Sequence, residues 1–215
     1  MFEVLTGAGL ATAAGLNAYI PLLAIGLLSR FTDLVNLPSG WAWLENGWVQ
    51  IILGVLLVIE IIADKVPAVD SVNDWIQTIV RPAAGGIVFG SGTAAQTATV
   101  TDPASFFTSN AWVPILIGVL LALTVHIGKT VVRPGANLAT AGFAAPVLST
   151  VEDVFSAVMS VVALLLPVLV IVGLAGLVAG AIGLTRRMRR RRADDPAVPP
   201  VPPVPTAPTP DRTAG

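Results

Sequence analysis

The sequence predicts an all-α membrane protein of about six transmembrane helices, and three observations carry that prediction. Of its 215 residues, 54% are hydrophobic and 12% charged, whereas soluble domains carry about 25% charged residues. Mean hydropathy is +0.82, and several apolar runs approach the ~20 residues that a bilayer-spanning helix needs. The runs are long and continuous rather than short and alternating, which argues against a barrel. In lipid, helices satisfy their own backbone polar groups.

The first span runs from about Val4 to Leu28, rich in Gly and Ala, with Asn17 inside it and a kink expected at Pro21. A loop follows from Arg30 to Trp48, whose tryptophans suit a headgroup region. The second span covers about Val49 to Lys65. Its link, Val66 to Val80, sets Asp70, Asn73 and Asp74 against Val72, Trp75, Ile76 and Ile79, the pattern of a short helix lying along an interface. The third span, about Pro82 to Val100, is mostly Gly, Ala, Ser and Thr, with Gln96. The fourth runs from Trp112 to Lys129, the fifth from Pro134 to Thr150 with Asn137, and the sixth from Val154 to Leu184, bent near Pro167.

Charge divides the chain into a transmembrane domain (1–185), a basic juxtamembrane run (186–192) and a Pro-rich tail (193–215) whose composition predicts disorder. Seven of the twelve basic residues lie beyond Thr185, so no nucleic-acid footprint crosses the fold. The positive-inside rule places the Arg run in the cytoplasm, with Lys65, Arg81, Lys129 and Arg133 on the same side and Asp33, Glu45, Asp102, Glu152 and Asp153 opposite. Both termini are then cytoplasmic. Glu3 stands where a signal peptide would carry a basic residue.

An internal duplication runs through the middle. Leu53-Gly54-Val55-Leu56-Leu57 answers Ile117-Gly118-Val119-Leu120-Leu121, and the only two lysines, Lys65 and Lys129, fall at equivalent places. Arg81-Pro82 is echoed by Arg133-Pro134. Each copy reads as an apolar helix ending in Lys, a link, and an Arg-Pro that opens a small-residue helix. Leu10-Ala11-Thr12-Ala13 and Leu138-Ala139-Thr140-Ala141 extend this to a weaker threefold pattern of parallel hairpins.

Chemistry has few places to sit. Pro at a helix start leaves free N–H groups that, with the helix dipole, attract an anion. Arg81 and Arg133 would add donor forks for phosphate or carboxylate, or they merely anchor helix ends. Glu60 lies roughly 7–8 Å inside its span by the helical rise, and intramembrane ionisable residues are functional candidates. Its candidate partners are Lys129, His126, Arg81 and Arg133, in a proton relay or a structural ion pair. Asp64 shares its helix face at i+4, next to Lys65. Asn17, Gln96 and Asn137 either bond between helices or line a polar path. Asp64, Asp70 and Asp74 match no EF-hand, so no metal is expected; no cofactor motif or catalytic elbow is found. The chain has no cysteine and one histidine, which speaks against zinc.

Gly15-Leu16-Asn17-Ala18-Tyr19, Glu60-Ile61-Ile62-Ala63-Asp64-Lys65-Val66-Pro67, Asp70-Ser71-Val72-Asn73-Asp74 and Arg81-Pro82-Ala83-Ala84-Gly85 resemble the bacterial integral-membrane family called domain of unknown function four-one-two-six, over about Met1 to Leu184. The resemblance implies a multi-pass protein of the bacterial inner or plasma membrane and no catalytic residue.

The resulting expectation is a small transporter or permease for an anionic or lipid-like substrate, not an enzyme. Arg81 and Arg133 would hold the anion, Glu60 with His126 or Lys129 would couple protonation, and Asn17, Gln96 and Asn137 would line the path. The second expectation is a non-transporting scaffold or accessory subunit that docks a protein partner through the Pro-rich tail. Partners expected are the lipid bilayer, anionic headgroups at the Arg run and a second copy of the chain.

Overall fold

Residues 2–93, 110, 112–140 and 143–193 are described in a computed structural model. Seven α-helices occupy them: α1 Phe2–Leu16, α2 Tyr19–Phe31, α3 Gly47–Ala63, α4 Pro67–Thr93, α5 Trp112–Ala139, α6 Ala144–Leu165 and α7 Val170–Ala193. Single 3₁₀ turns stand at Ala42–Glu45 and Pro167–Leu169.

The first expected span is two helices, not one. Phe2, Glu3 and Thr6 of α1 line a single cavity of about 300 Å³ with Ile25 of α2, whereas a continuous helix would hold Glu3 and Ile25 about 33 Å apart. The chain therefore reverses at Asn17-Ala18. Asn17 enforces the reversal: its Oδ1 accepts from Tyr19 N–H at 3.1 Å and Ile20 N–H at 3.2 Å, satisfying donors that the first turn of α2 leaves open. Pro21 then sits in that first turn, where a missing N–H is tolerated. What reads as a kink in the sequence is a hairpin.

The other helices pack around it. Helix α3 begins beside Arg30, whose Nη1 donates to Glu45 O at 3.1 Å, with Asn46 capping Trp48 N–H at 2.9 Å. It ends where Glu60 meets Arg81 of α4. Helices α4 and α5 run antiparallel: Thr78 faces His126, Gly85 crosses Gly118, and Gly90 faces Ile115. Helix α6 lies antiparallel to α1, with Ser156 Oγ donating to Ala13 O at 3.0 Å and Ala163 against Gly9. The break at Leu166-Pro167 folds α7 back, so that Gly173 meets Met159. The bundle thus has a cavity end, which holds Phe2, Gly47, Thr93 and Trp112, and an opposite end towards which Ala63, Pro67, Ala139, Ala144 and Ala193 lie.

Small residues set the closest approaches, as anticipated for the first and third spans. A Cβ on Gly15 would stand 2.6 Å from Ala122 O, and one on Gly118 would strike the Gly85 carbonyl. Helix α1 contributes Leu10, Ala11, Ala13 and Ala14 to the fully buried core. Helix α3 presents Ile51, Ile52, Val55, Val58, Ile59 and Ile62 outward, each more than half exposed. Trp112–Gly135 and Ala145–Leu165 are long and apolar enough to cross a membrane.

Several sequence expectations are corrected. Pro82 and Pro134 lie inside α4 and α5, so Arg-Pro opens no helix and frees no N–H groups for an anion. The 66–80 link is the first half of α4, with Trp75 and Ile79 outward while Gln77 is buried. Lys129 is within α5 rather than at its end, and Glu152 and Asp153 are inside α6 rather than in a loop. The fifth and sixth spans are therefore redrawn as the end of α5, α6 and α7. The leading leucines of the Leu-Ala-Thr-Ala repeat stand in different surroundings: Leu10 is fully buried, Leu138 86% exposed.

Gly118→Val is expected to lower stability by roughly 1–3 kcal/mol through overpacking, read as a drop in thermal unfolding temperature in detergent. Gly54→Ala, where an added Cβ meets nothing within 4 Å, is expected to leave it unchanged or raise it slightly.

Candidate functional site: a buried charge network

Two helices, α4 and α5, converge on Asp64, in the turn that follows α3. Its Oδ2 lies 3.1 Å from Lys129 Nζ of α5 and 3.6 Å from both Arg81 Nη2 of α4 and Arg133 Nη2 of α5. Its Oδ1 accepts from Asn73 Nδ2 at 2.8 Å. Glu60, one turn earlier, accepts from Arg81 Nη2 at 2.8 Å. Lys129 reaches on to Glu152 of α6 at 3.0 Å, and Arg133 to Glu152 at 3.7 Å and Asp74 at 4.0 Å. Arg81 is fully buried, and Arg133, Glu60 and Asp64 are no more than 2% exposed.

An isolated ion in such surroundings is prohibitive; these are tolerable because each faces a counter-charge. The balance tilts acidic: Glu60, Asp64, Asp74 and Glu152 outnumber Arg81, Lys129 and Arg133 by one. Burial raises the Asp64 carboxyl, while the Lys129, Arg81 and Arg133 charges and the Asn73 hydrogen bond lower it more, leaving it below the usual carboxylate range.

One polar branch extends the network, and a separate polar contact lies at the hairpin tip. His126 of α5 stands between Thr78 Oγ1 at 3.0 Å and Arg81 Nη1 at 3.3 Å. At the hairpin tip, fully buried Asn17 donates to Asp153 Oδ1 of α6 at 2.9 Å, and Tyr19 lies beside the Gln77 side chain. The cavity lies at the other end of the same hairpin.

Local sequence explains how two arginines enter so apolar a bundle. Thr78-Ile79-Val80-Arg81-Pro82 and Thr130-Val131-Val132-Arg133-Pro134 are one pentad, differing only in Ile79 against Val131. A helix-interior proline clashes with the carbonyl four residues back and costs ~3 kcal/mol. In both copies that residue is a Thr whose hydroxyl bonds an earlier carbonyl, Asp74 O at 2.8 Å and Ile127 O at 3.0 Å. The helices continue because the Arg beside each Pro is tied into the network.

Of the residues the sequence singles out, Glu60, Asp64, Arg81, His126, Lys129 and Arg133 come together, while Asn17 bonds Asp153, the sequence neighbour of Glu152. The partner of Glu60 is Arg81, not Lys129 or His126. Lys65 stays at the edge, its Nζ donating to Ile61 O at 3.2 Å, so the two lysines are not equivalent. Gln96 lies outside the described residues, and Asn137 is described only as helix backbone. The sequence reading missed Tyr19, Gln77, Glu152 and Asp153; the available signal was a pair of acids inside the apolar stretch from Pro146 to Leu166. Among the described residues no acidic or histidine cluster has metal-site geometry.

The DUF4126 family model, described as a domain of unknown function, matches residues 4–187. The chain belongs to that family. The match takes in the hairpin and every member of the network. Comparison with curated proteins and with solved structures finds no match.

Removing one partner from a buried pair costs roughly 3–5 kcal/mol. Lys129→Met is expected to fall in that range and Lys65→Met near zero, by thermal unfolding in detergent. Because its folded-state pKa is depressed, the stability that Asp64 contributes is present above the ordinary carboxylate pKa and lost as pH falls through the lowered value. Acid titration of unfolding should therefore be flatter in Asp64→Asn than in the wild type.

Proposed function

We propose that this is a multi-pass membrane protein that couples the movement of a small ion or solute to protonation of the buried network. The observation that carries the proposal is the inverted polarity of the bundle: ionisable side chains inside, Ile51, Val55, Ile59, Ile62 and Ile79 outside. Such a molecule is stable with hydrocarbon against its exterior, and ionisable residues inside it mark pathways. Helices α3 to α7 are the proposed spans, and the α1–α2 hairpin is a re-entrant element. The cavity at its mouth and the network at its tip are separated by the glycine crossings near Gly15 and Gly118, as a closed plug would be.

The substrate expectation changes. Arg81 and Arg133 face carboxylates, and the network carries a surplus of negative charge. A proton or a cation fits it better than the anion that Arg-Pro helix starts would attract. Orientation changes as well. The Arg run forms the last turns of α7, towards the network end, and the positive-inside rule then puts that end in the cytoplasm, with the α1 start on the far side. The N-terminus is proposed outside and the C-terminus inside, not both inside. The setting proposed is the inner or plasma membrane.

A non-transporting scaffold is the second reading, favoured by one fact: each ionised group of the network already has a counter-charge, as a purely structural device would. Proteoliposomes with an internal pH dye distinguish the two. Acid-driven proton entry should be present with wild-type protein and reduced at least tenfold by Glu60→Gln. Entry equal to empty liposomes would leave the scaffold. The chain has no cysteine, so single cysteines at Leu34 and Leu138, both exposed, should label from opposite faces with an impermeant maleimide.

A further inference from the structure

Three polar atoms of the hairpin-tip region are buried without a hydrogen-bond partner: Glu60 Oε2, Gln77 Oε1 and Arg81 Nε. Buried polar groups are nearly always bonded, so each exception asks for an occupant. They belong to adjoining side chains. Glu60 holds Arg81 through its other oxygen at 2.8 Å, and Gln77 precedes Arg81 by one turn on the inward face of α4. Tyr19, at the start of α2, lies beside Gln77 and within electrostatic range of both Glu60 and Arg81. Glu60 and Gln77 are 1% and 2% exposed, Arg81 0%. Glu60 Oε2 and Gln77 Oε1 are orphan acceptors that lack a hydrogen; Glu152 Oε2 and Asp74 Oδ1 also lack a hydrogen bond, but each faces a cation, at 3.0 Å and 4.0 Å.

We infer that the space bounded by Tyr19, Gln77, Glu60 and Arg81 is a proton-binding site, in which Glu60 Oε2 takes the proton and Gln77 Oε1 accepts its hydrogen bond, directly or through one water. The inference rests on the proton-coupled reading and gives it an address. The step is a simple transfer: a hydronium ion gives its proton to the Glu60 carboxylate, leaving water and a neutral carboxylic acid. Arg81 keeps its charge. The neutral acid's O–H then satisfies Gln77 Oε1, and a water accepting from Arg81 Nε satisfies the third orphan.

The charged and titratable groups around Glu60 are Arg81 and His126 towards α4 and α5, Asp64 on its own element, Lys129 of α5 and Tyr19 of α2. Protonating Glu60 weakens its hold on Arg81, leaving that guanidinium to Asp64, 3.6 Å away. Because Tyr19 and the Asn17 cap form the hairpin tip, the proton's arrival is felt where α1 turns into α2. Gln77 and Tyr19 act here as positioning residues; Glu60 alone carries the proton.

The test is infrared difference spectroscopy of purified protein in lipid, stepped in pH, beside the dye-flux assay on the same vesicles. A carboxylic-acid C=O band should appear on acidification in the wild type and vanish in Glu60→Gln. In Gln77→Met, which leaves every ion pair in place, the band should persist with its midpoint moved down by about one pH unit, since the neutral form loses a hydrogen bond. Its frequency should rise. A band unaffected by Glu60→Gln, or a Gln77→Met midpoint and frequency identical to wild type, overturns the site. A band that behaves as expected in vesicles without proton entry overturns the transport reading and leaves the site standing.

Discussion

Asp64 is the constraint on which the rest of the molecule depends. It is a buried carboxylate that meets Arg81, Lys129 and Arg133 within 3.6 Å and Asn73 at 2.8 Å. Asp64 is the one acid that all three cations share; Glu60 also faces Arg81, and Glu152 also faces Lys129 and Arg133, so charge inside the bundle is neutralised jointly. The cations come from two different helices, so the requirement to neutralise charge fixes the register of α4 against α5 and of both against the end of α3. Glu152 extends the same requirement to α6.

Packing supplies what the charges do not. Close helix approach in this bundle depends on small residues, which let the backbones come together. Gly15 and Gly118 sit where a side chain would collide with a neighbouring carbonyl. They bring α1, α4 and α5 close enough for long side chains from three helices to reach one point. Polar satisfaction and close packing are therefore one design: the glycine crossings lie just above the arginines, and the Thr pentads let the helices pass their prolines intact.

The hairpin links this core to the exterior. A broken helix exposes backbone groups that must be answered, and Asn17 answers those of α2 while binding Asp153. The molecule thus has one place where irregular backbone, a carboxylate and the charge network adjoin. The cavity at the hairpin mouth lies at the opposite end of the same two helices. Function in this family is argued from that juxtaposition.

Helical class, the apolar character of the chain and Glu60, Asp64, Arg81, His126, Lys129 and Arg133 as residues that come together were legible in the sequence, because charge in an apolar run has few explanations and hydrophobic length is a local property. The bounds of the second span, and the small residues of the first and third as packing surfaces, were legible for the same reason. The reversal at Asn17 was not, since a hydrophobic run looks the same whether its halves continue or fold back. Nor were the helix-interior prolines: local preference places Pro at a start, and only long-range ion pairs hold Arg81 and Arg133 inside continuous helices. Pairing was likewise beyond reach. Which acid meets which base depends on register between distant helices, so Glu152 and Asp153 read as a loop, whereas tertiary structure puts them at the centre.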